Sequence, residues 1–125
     1  MKGARPQVLI ADDHLLFAEA LEAILSLDGR IEVIGRAADG REAVDLTTSL
    51  HPDVVLMDLS MPRGDGFDAT RRIRAAHEST RVLVLTGSAS TDDIDRARAA
   101  GADGYFTKDQ IADDLVRAIL DTAGP

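Results

Sequence analysis

Residues 8–14 read VLIADDH. Four consecutive apolar residues, Val8 to Ala11, run into two adjacent carboxylates and a histidine. A short run that is apolar at every position, rather than at alternate ones, is the pattern of a strand covered on both faces. The pattern recurs at Val54–Met57 and Val82–Leu85, at Ile31–Ile34 with Glu32 interrupting it, and more weakly at Gly104–Phe106, where Tyr105 and Phe106 carry it. Between the runs lie helical patterns. Leu15–Leu27 contains no Gly or Pro and places Phe17, Leu21 and Ile24 on one stripe, with Gly29 behind it. Arg41–Leu50 carries Ala43, Val44 and Leu46 and stops before Pro52. Phe67–Ala76 follows Gly66, and Thr91–Ala100 opens on Thr91, Asp92 and Asp93, a cap with negative charge at the positive end of the helix dipole. Ile111–Ala123 carries Ile111, Leu115 and Ile119. Five alternations of strand and helix predict an α/β fold: a doubly wound, five-stranded parallel sheet with five helices on both faces, joined by right-handed crossovers.

Composition sets the limits. The 125 residues suit one domain. Apolar residues make up 45% and aromatics only 3%, so the expected core is aliphatic. A net charge of −8 opposes nucleic-acid binding by this segment, because a phosphate backbone would be repelled. The absence of cysteine excludes disulfides and thiolate metal sites. No apolar run approaches the roughly 18 residues of a membrane span, and VLIA is too short for the ~7–15-residue core of a signal peptide. The expectation is a cytoplasmic protein with no membrane contact. The pattern fades in DTAGP, which reads as the start of a linker.

In open parallel sheets, ligands bind beyond the carboxyl ends of the strands. Asp12 and Asp13 follow the first strand. Arg36, Ala37 and Ala38 follow the second and are unremarkable. Asp58, Leu59, Ser60, Met61 and Pro62 follow the third, Thr86, Gly87 and Ser88 the fourth, and Thr107 and Lys108 the fifth. Taken singly, Asp12 or Asp13 is a helix cap, Asp58 a turn residue, Thr86 a strand terminus and Lys108 a solvated side chain. Together they bring three carboxylates, a hydroxyl and an ammonium to one edge. Three close carboxylates raise one another's pKa. Oxygen-only ligands with room for water favour Mg²⁺, or Mn²⁺, to relieve this. Such a site suits phosphoryl transfer, where positioning and charge neutralisation dominate. A carboxylate can itself be the nucleophile, and Asp58, at the end of VVLMD, is the best placed. His14 sits beside the acidic pair, but at a helix start it reads as structural or solvated.

On the acidic pair in VLIADDH, the segment VVLMDLSMPRGDG, the Thr in VLVLTGSA and the Lys in GADGYFTKD, the chain resembles a receiver domain of bacterial two-component response regulators. ADDH together with GYFTKD resembles the NarL/FixJ (LuxR-type) subfamily. The resemblance implies a flavodoxin-like (CheY-like) sheet of strand order 2-1-3-4-5. It implies that Asp58 accepts a phosphoryl group from a sensor histidine kinase. Mg²⁺ would be held by Asp13, Asp58 and the Ser60 backbone carbonyl, with Asp12 assisting through water or a longer contact. Thr86 would hydrogen-bond the phosphoryl oxygen, Lys108 would pair with it, and Gly87 would leave room over Asp58. Tyr105 would be the switch aromatic, turning inward as Thr86 moves. The domain would span residues 1–121, with 122–125 opening a linker to a C-terminal helix-turn-helix domain that binds DNA. Homodimers would form through the first and fifth helices or the fourth-helix face. Phosphorylation would shift Thr91–Ala100, which has Ile94 as its single large apolar anchor. Many receivers carry Lys-Pro with a cis bond where this chain has Lys108-Asp109.

Three other readings fit less well. A phosphatase of the haloacid-dehalogenase type needs a second aspartate where Ser60 stands. A flavodoxin-like cofactor binder needs a Ser-, Thr- and Gly-rich first loop where Asp12 and Asp13 stand. An interaction module that is never phosphorylated does not need the full set of five residues.

Overall fold

The computed structural model of the protein describes residues 5–61, 65–87, 90–110 and 113–123. Pro62, Ser88, Ile111 and the last two residues of DTAGP lie outside them. Five strands alternate with five helices: β1 Gln7–Ala11, α1 Leu15–Leu27, β2 Glu32–Ala37, α2 Gly40–Leu50, β3 Val54–Asp58, α3 Asp65–Ala76, β4 Arg81–Thr86, α4 Thr91–Ala99, β5 Gly104–Thr107 and α5 Asp113–Ala123. All pairings are parallel, in the order β2-β1-β3-β4-β5. This is the doubly wound order expected from the sequence.

The uninterrupted apolar runs are explained by the two faces of the sheet. Val8, Ile10, Leu56, Leu83 and Leu85 pack with Leu21 and Leu25 of α1 and Leu115 and Ile119 of α5. The alternate residues Leu9, Ala11, Val55, Met57, Val82 and Val84 pack with Ala43, Ile73 and Ala97 on α2, α3 and α4. Every residue of β3 is buried, including Asp58. The strand order reverses between β1 and β3, so their carboxyl ends flank the crevice where such sheets bind ligands.

Three local expectations are corrected, and the single-residue reading of the acidic pair as a helix cap falls. β2 runs through Arg36 and Ala37, which do not follow the strand but belong to it; a register shift between Val8 and Leu9 skips Ile34 and resumes the pairing at Gly35. The buried stripe of α1 is Ala18, Leu21 and Leu25, while Ile24 is 38% exposed. α4 is capped by Ser90 rather than Thr91, the Ser90 hydroxyl accepting from the Asp93 amide at 3.4 Å. Neither Asp12 nor Asp13 caps α1: the cap position is His14, without a side-chain bond, and Asp12 Oδ1 accepts from the His14 amide at 2.8 Å. α4 is thinly held, as expected. Ala97 is its buried residue and Ile94 is half-buried. No helix among the described residues is long and apolar enough to cross a membrane.

Gly66 fixes how close α3 comes to the end of β3. A Cβ there would lie 2.5 Å from the Asp58 carbonyl oxygen and 2.9 Å from Leu59 Cα. Both are backbone atoms and cannot rotate away. Gly66→Ala is therefore expected to destabilise the protein by about 1–3 kcal/mol, the range of an overpacked core site, even though alanine is the better helix former. A denaturant midpoint unchanged from wild type would show that α3 yields freely.

Candidate functional site

The carboxyl ends of β1, β3, β4 and β5 bring Asp12, Asp58, Thr86 and Lys108 to one edge. The backbone anchors each end: the Asp12 amide donates to the Ala37 carbonyl at 2.9 Å, and the Leu59 amide to Leu85 at 3.0 Å. Asp58 is fully buried and Asp12 is 5% exposed. Asp13, two residues beyond the end of β1, is exposed.

Asp58 Oδ1 accepts from the Ser60 amide at 3.1 Å and the Ser60 hydroxyl at 2.8 Å. These two bonds fix the plane of the carboxylate. The Lys108 ammonium lies 2.9 Å from Asp12 Oδ2 and 3.5 Å from Asp58 Oδ2. Neither oxygen accepts a well-aligned hydrogen bond, so both are buried with only that charge to balance them. Burial pushes the Asp12 carboxyl above its ordinary range; the His14 amide and Lys108 oppose this, and the Asp58 charge adds to it. One ammonium faces two buried carboxylates, and a third acid stands at the rim.

Carboxylate oxygens of Asp12, Asp13 and Asp58 and a ring nitrogen of His14 all lie within 4.8 Å of one another. Orphaned buried carboxylate oxygens in an oxygen-rich cluster fit a hard divalent cation. His14 Nδ1 is 3.6 Å from Asp12 Oδ1 and 3.8 Å from Asp13 Oδ1, so it stands closer to the cluster than its sequence position suggests. Its ring is nonetheless 67% exposed.

Thr86 is buried at the end of β4 and shares a hydrogen bond with the Tyr105 phenol. Burial, and then the Asp93 charge, raise the Tyr105 pKa against that bond. Tyr105 packs with the α2–α4 side of the core. It therefore joins the site edge to the base of α4, where Ile94, Ala97, Arg98 and Tyr105 line a cavity of about 100 Å³. A Cβ added at Gly87 would meet no atom of the described residues within 4 Å, its chain neighbours aside. The described residues contain no cis peptide bond. Lys108–Gln110 forms a 3₁₀ turn in which the Thr107 hydroxyl donates to the Asp109 carboxylate.

Sequence reasoning missed two contacts. One is the Ser60 hydroxyl, considered only for its carbonyl. The other is Phe17, read only as core, whose ring lies under the Lys108 ammonium, 4.3 Å from centroid to Nζ. Its place four residues after Asp13, on a helix leaving the site, was the available signal.

A five-stranded 2-1-3-4-5 sheet with an acidic crevice, a threonine and a lysine at its carboxyl edge places the chain in the doubly wound α/β class, with a charged site at the switch point. The family of response regulator receiver domains matches residues 8–120, and the chain belongs to it. The transcriptional regulatory protein DegU of Brevibacillus brevis is 37% identical over 90% of this chain and 48% of its own length. The probable transcriptional regulatory protein NarL of Mycobacterium tuberculosis (strain H37Rv) is 37% identical over 98% of this chain and 58% of its own. The solved receiver domain of the putative response regulator NarL from M. tuberculosis superposes with a TM-score of 0.90 at 36% identity, covering 95% of this chain and 96% of that one. A LuxR-family response regulator from Aurantimonas sp. SI85-9A1 gives 0.90 at 32% identity, covering 96% and 86%. The chain is thus a receiver domain of the NarL/LuxR type, and it spans about half the length of the curated relatives it matches.

Proposed function

We propose that Asp58 is the phosphoacceptor, taking a phosphoryl group from a sensor histidine kinase. The observation that carries this is the buried, Ser60-oriented Asp58 carboxylate with Lys108 Nζ 3.5 Å away. In the step, an Asp58 oxygen attacks phosphorus, the bond from phosphorus to the donor nitrogen or oxygen breaks, and the leaving group keeps that electron pair. Ser60 holds the carboxylate in plane. Lys108 balances the charge on the transferred group. Thr86, with one proton to donate, hydrogen-bonds a phosphoryl oxygen and so rearranges its bond with Tyr105. Asp13, Asp58 and the Ser60 carbonyl are the residues that would hold Mg²⁺, or Mn²⁺, with Asp12 as the outer acid. When bound, the ion neutralises charge on the acids and the phosphoryl oxygens.

Residues 1–121 constitute the receiver domain; the linker to a DNA-binding helix-turn-helix output, read from the sequence as opening at 122, cannot start before α5 closes at Ala123. The relatives' regulatory names and roughly doubled length support this. Leu15, Leu16 and Leu27 are 62%, 80% and 88% exposed, an apolar face on α1 that suits a homodimer through α1 and α5; the α4 face is the alternative.

Intact mass after incubation with acetyl phosphate and Mg²⁺ tests the reading. One added phosphoryl group is expected. No adduct with small donors or with kinases would leave an interaction module instead. Rapid turnover of assorted phosphate esters would indicate a phosphatase.

The switch has its own test. Beryllofluoride bound at Asp58 should change amide exchange in α4 and around Tyr105, because Thr86 links the site to a helix with one buried side chain. A change of about tenfold in exchange rate corresponds to ~1.4 kcal/mol of local stability. Unchanged exchange across 91–107 would count against the Thr86–Tyr105 route.

A further inference from the structure

Among the described residues Lys108 has three partners, and two of them change during the reaction just proposed. Asp58 becomes an acyl phosphate, and Asp12 belongs to the acid cluster that would face a cation. The third, the Phe17 ring, neither titrates nor reacts. Lys108 Nζ stands 4.3 Å from its centroid, while the Lys108 side chain is 17% exposed. Phe17 is itself held, half-buried, against the core cluster of β1, β3, α1 and α5. A lysine has four rotatable bonds and a strongly hydrated head, so without a fixed partner it samples solvent. An aromatic face attracts the ammonium without neutralising it and without competing for the phosphoryl group.

We infer that Phe17 is a positioning residue for the phosphoryl-transfer step: its ring keeps the Lys108 ammonium over Asp58 while the carboxylate partners are being taken up by other ligands. The inference rests on the reading of Asp58 as phosphoacceptor. The ring must offer a π face at this spot, and an aliphatic residue of similar bulk does not.

The full chain is tested with acetyl phosphate and Mg²⁺, comparing wild type, Phe17→Leu and Phe17→Tyr, each also in a Lys108→Ala background. Phe17→Leu should slow phosphoryl uptake about five- to tenfold, the range of a partly desolvated cation–π contact. Phe17→Tyr should stay within about twofold, since its ring keeps the face. In the Lys108→Ala chain, Phe17→Leu should have no further effect, because there is no ammonium left to position. An equal slowing in both backgrounds would mean that Phe17 acts by packing alone and would overturn the inference. A second readout needs no phosphodonor. The Lys108 ε-methylene protons should show an upfield ring-current shift in wild type, kept in Phe17→Tyr and lost in Phe17→Leu. Ordinary ε-methylene shifts in wild type would overturn the inference even if uptake is normal. If no chain takes up phosphoryl, the proposed function fails, and the ring-current shift alone decides whether the lysine is held.

Discussion

Asp58→Asn is expected to take up no phosphoryl group from any donor, while folding as well as the wild type or better. The carboxamide keeps the shape of the side chain. Its oxygen can still accept from the Ser60 amide and hydroxyl, the bonds that now fix Asp58 Oδ1. What it lacks is a nucleophilic anion, and that loss is complete rather than partial. Intact mass is the measurement. A surviving adduct would move the acceptor to Asp12 or Asp13, which lie in the same cluster.

Stability should rise for an electrostatic reason. Asp58 is fully buried, and its Oδ2 has no hydrogen-bond partner. Leaving a buried charged group unsatisfied costs about 1–3 kcal/mol or more. Removing the charge relieves that cost and the repulsion from Asp12, against the loss of a 3.5 Å contact with Lys108. The balance favours the variant, because Lys108 retains Asp12 at 2.9 Å. A lowered melting temperature would mean that the Lys108–Asp58 attraction outweighs the desolvation.

This pairing of lost chemistry with gained stability marks what the sequence could and could not show. Strand positions were legible because strands covered on both faces are apolar at every position, as in VVLM, Val54–Met57. β5 was weaker because Gly104 to Thr107 is only half-buried. The end of β2 was not legible. Gly35 and Arg36 break the apolar run, and what extends the strand is pairing with β1 across a register shift. The convergence of Asp12, Asp58, Thr86 and Lys108 followed from topology, since each closes a strand at the same edge. Contacts set by side-chain direction were beyond it. Nothing in the order of residues aims the Phe17 ring at Lys108, or turns the Ser60 hydroxyl back onto Asp58. Exposure on α1 was misread for a related reason. Its stripe was assigned by spacing alone, and the sheet selects Ala18, Leu21 and Leu25 while Ile24 faces outward.

The second large effect concerns cation removal and pH together. Divalent cation in hundredfold excess over its Kd should stabilise the protein by about 2.7 kcal/mol, roughly 8–13 °C in melting temperature for a chain of this size. Asp13→Asn should lose most of that gain, since Asp13 is the acid of the cluster with the least compensation from Lys108. Without the cation, Asp12 sets the pH dependence. Burial holds its carboxyl above the 3.8 of an unburied aspartate. The folded chain therefore holds this proton more tightly than the unfolded chain does. Its contribution to stability is fully present below the unfolded pKa and is lost as pH rises through the folded one. The chelated wild type should thus lose stability from this group as pH climbs from about 4 toward neutrality. Asp12→Asn should flatten that slope and raise the neutral-pH stability of the chelated protein by about 1–2 kcal/mol. With the cation present the order reverses: the wild type gains and Asp12→Asn gains less, because the charge that destabilises the chelated fold is the charge that binds the ion. Melting curves with and without chelator across this pH range decide it. A chelated wild type that grows steadily more stable toward neutrality, with Asp12→Asn less stable than it, would show that Lys108 alone already satisfies both carboxylates.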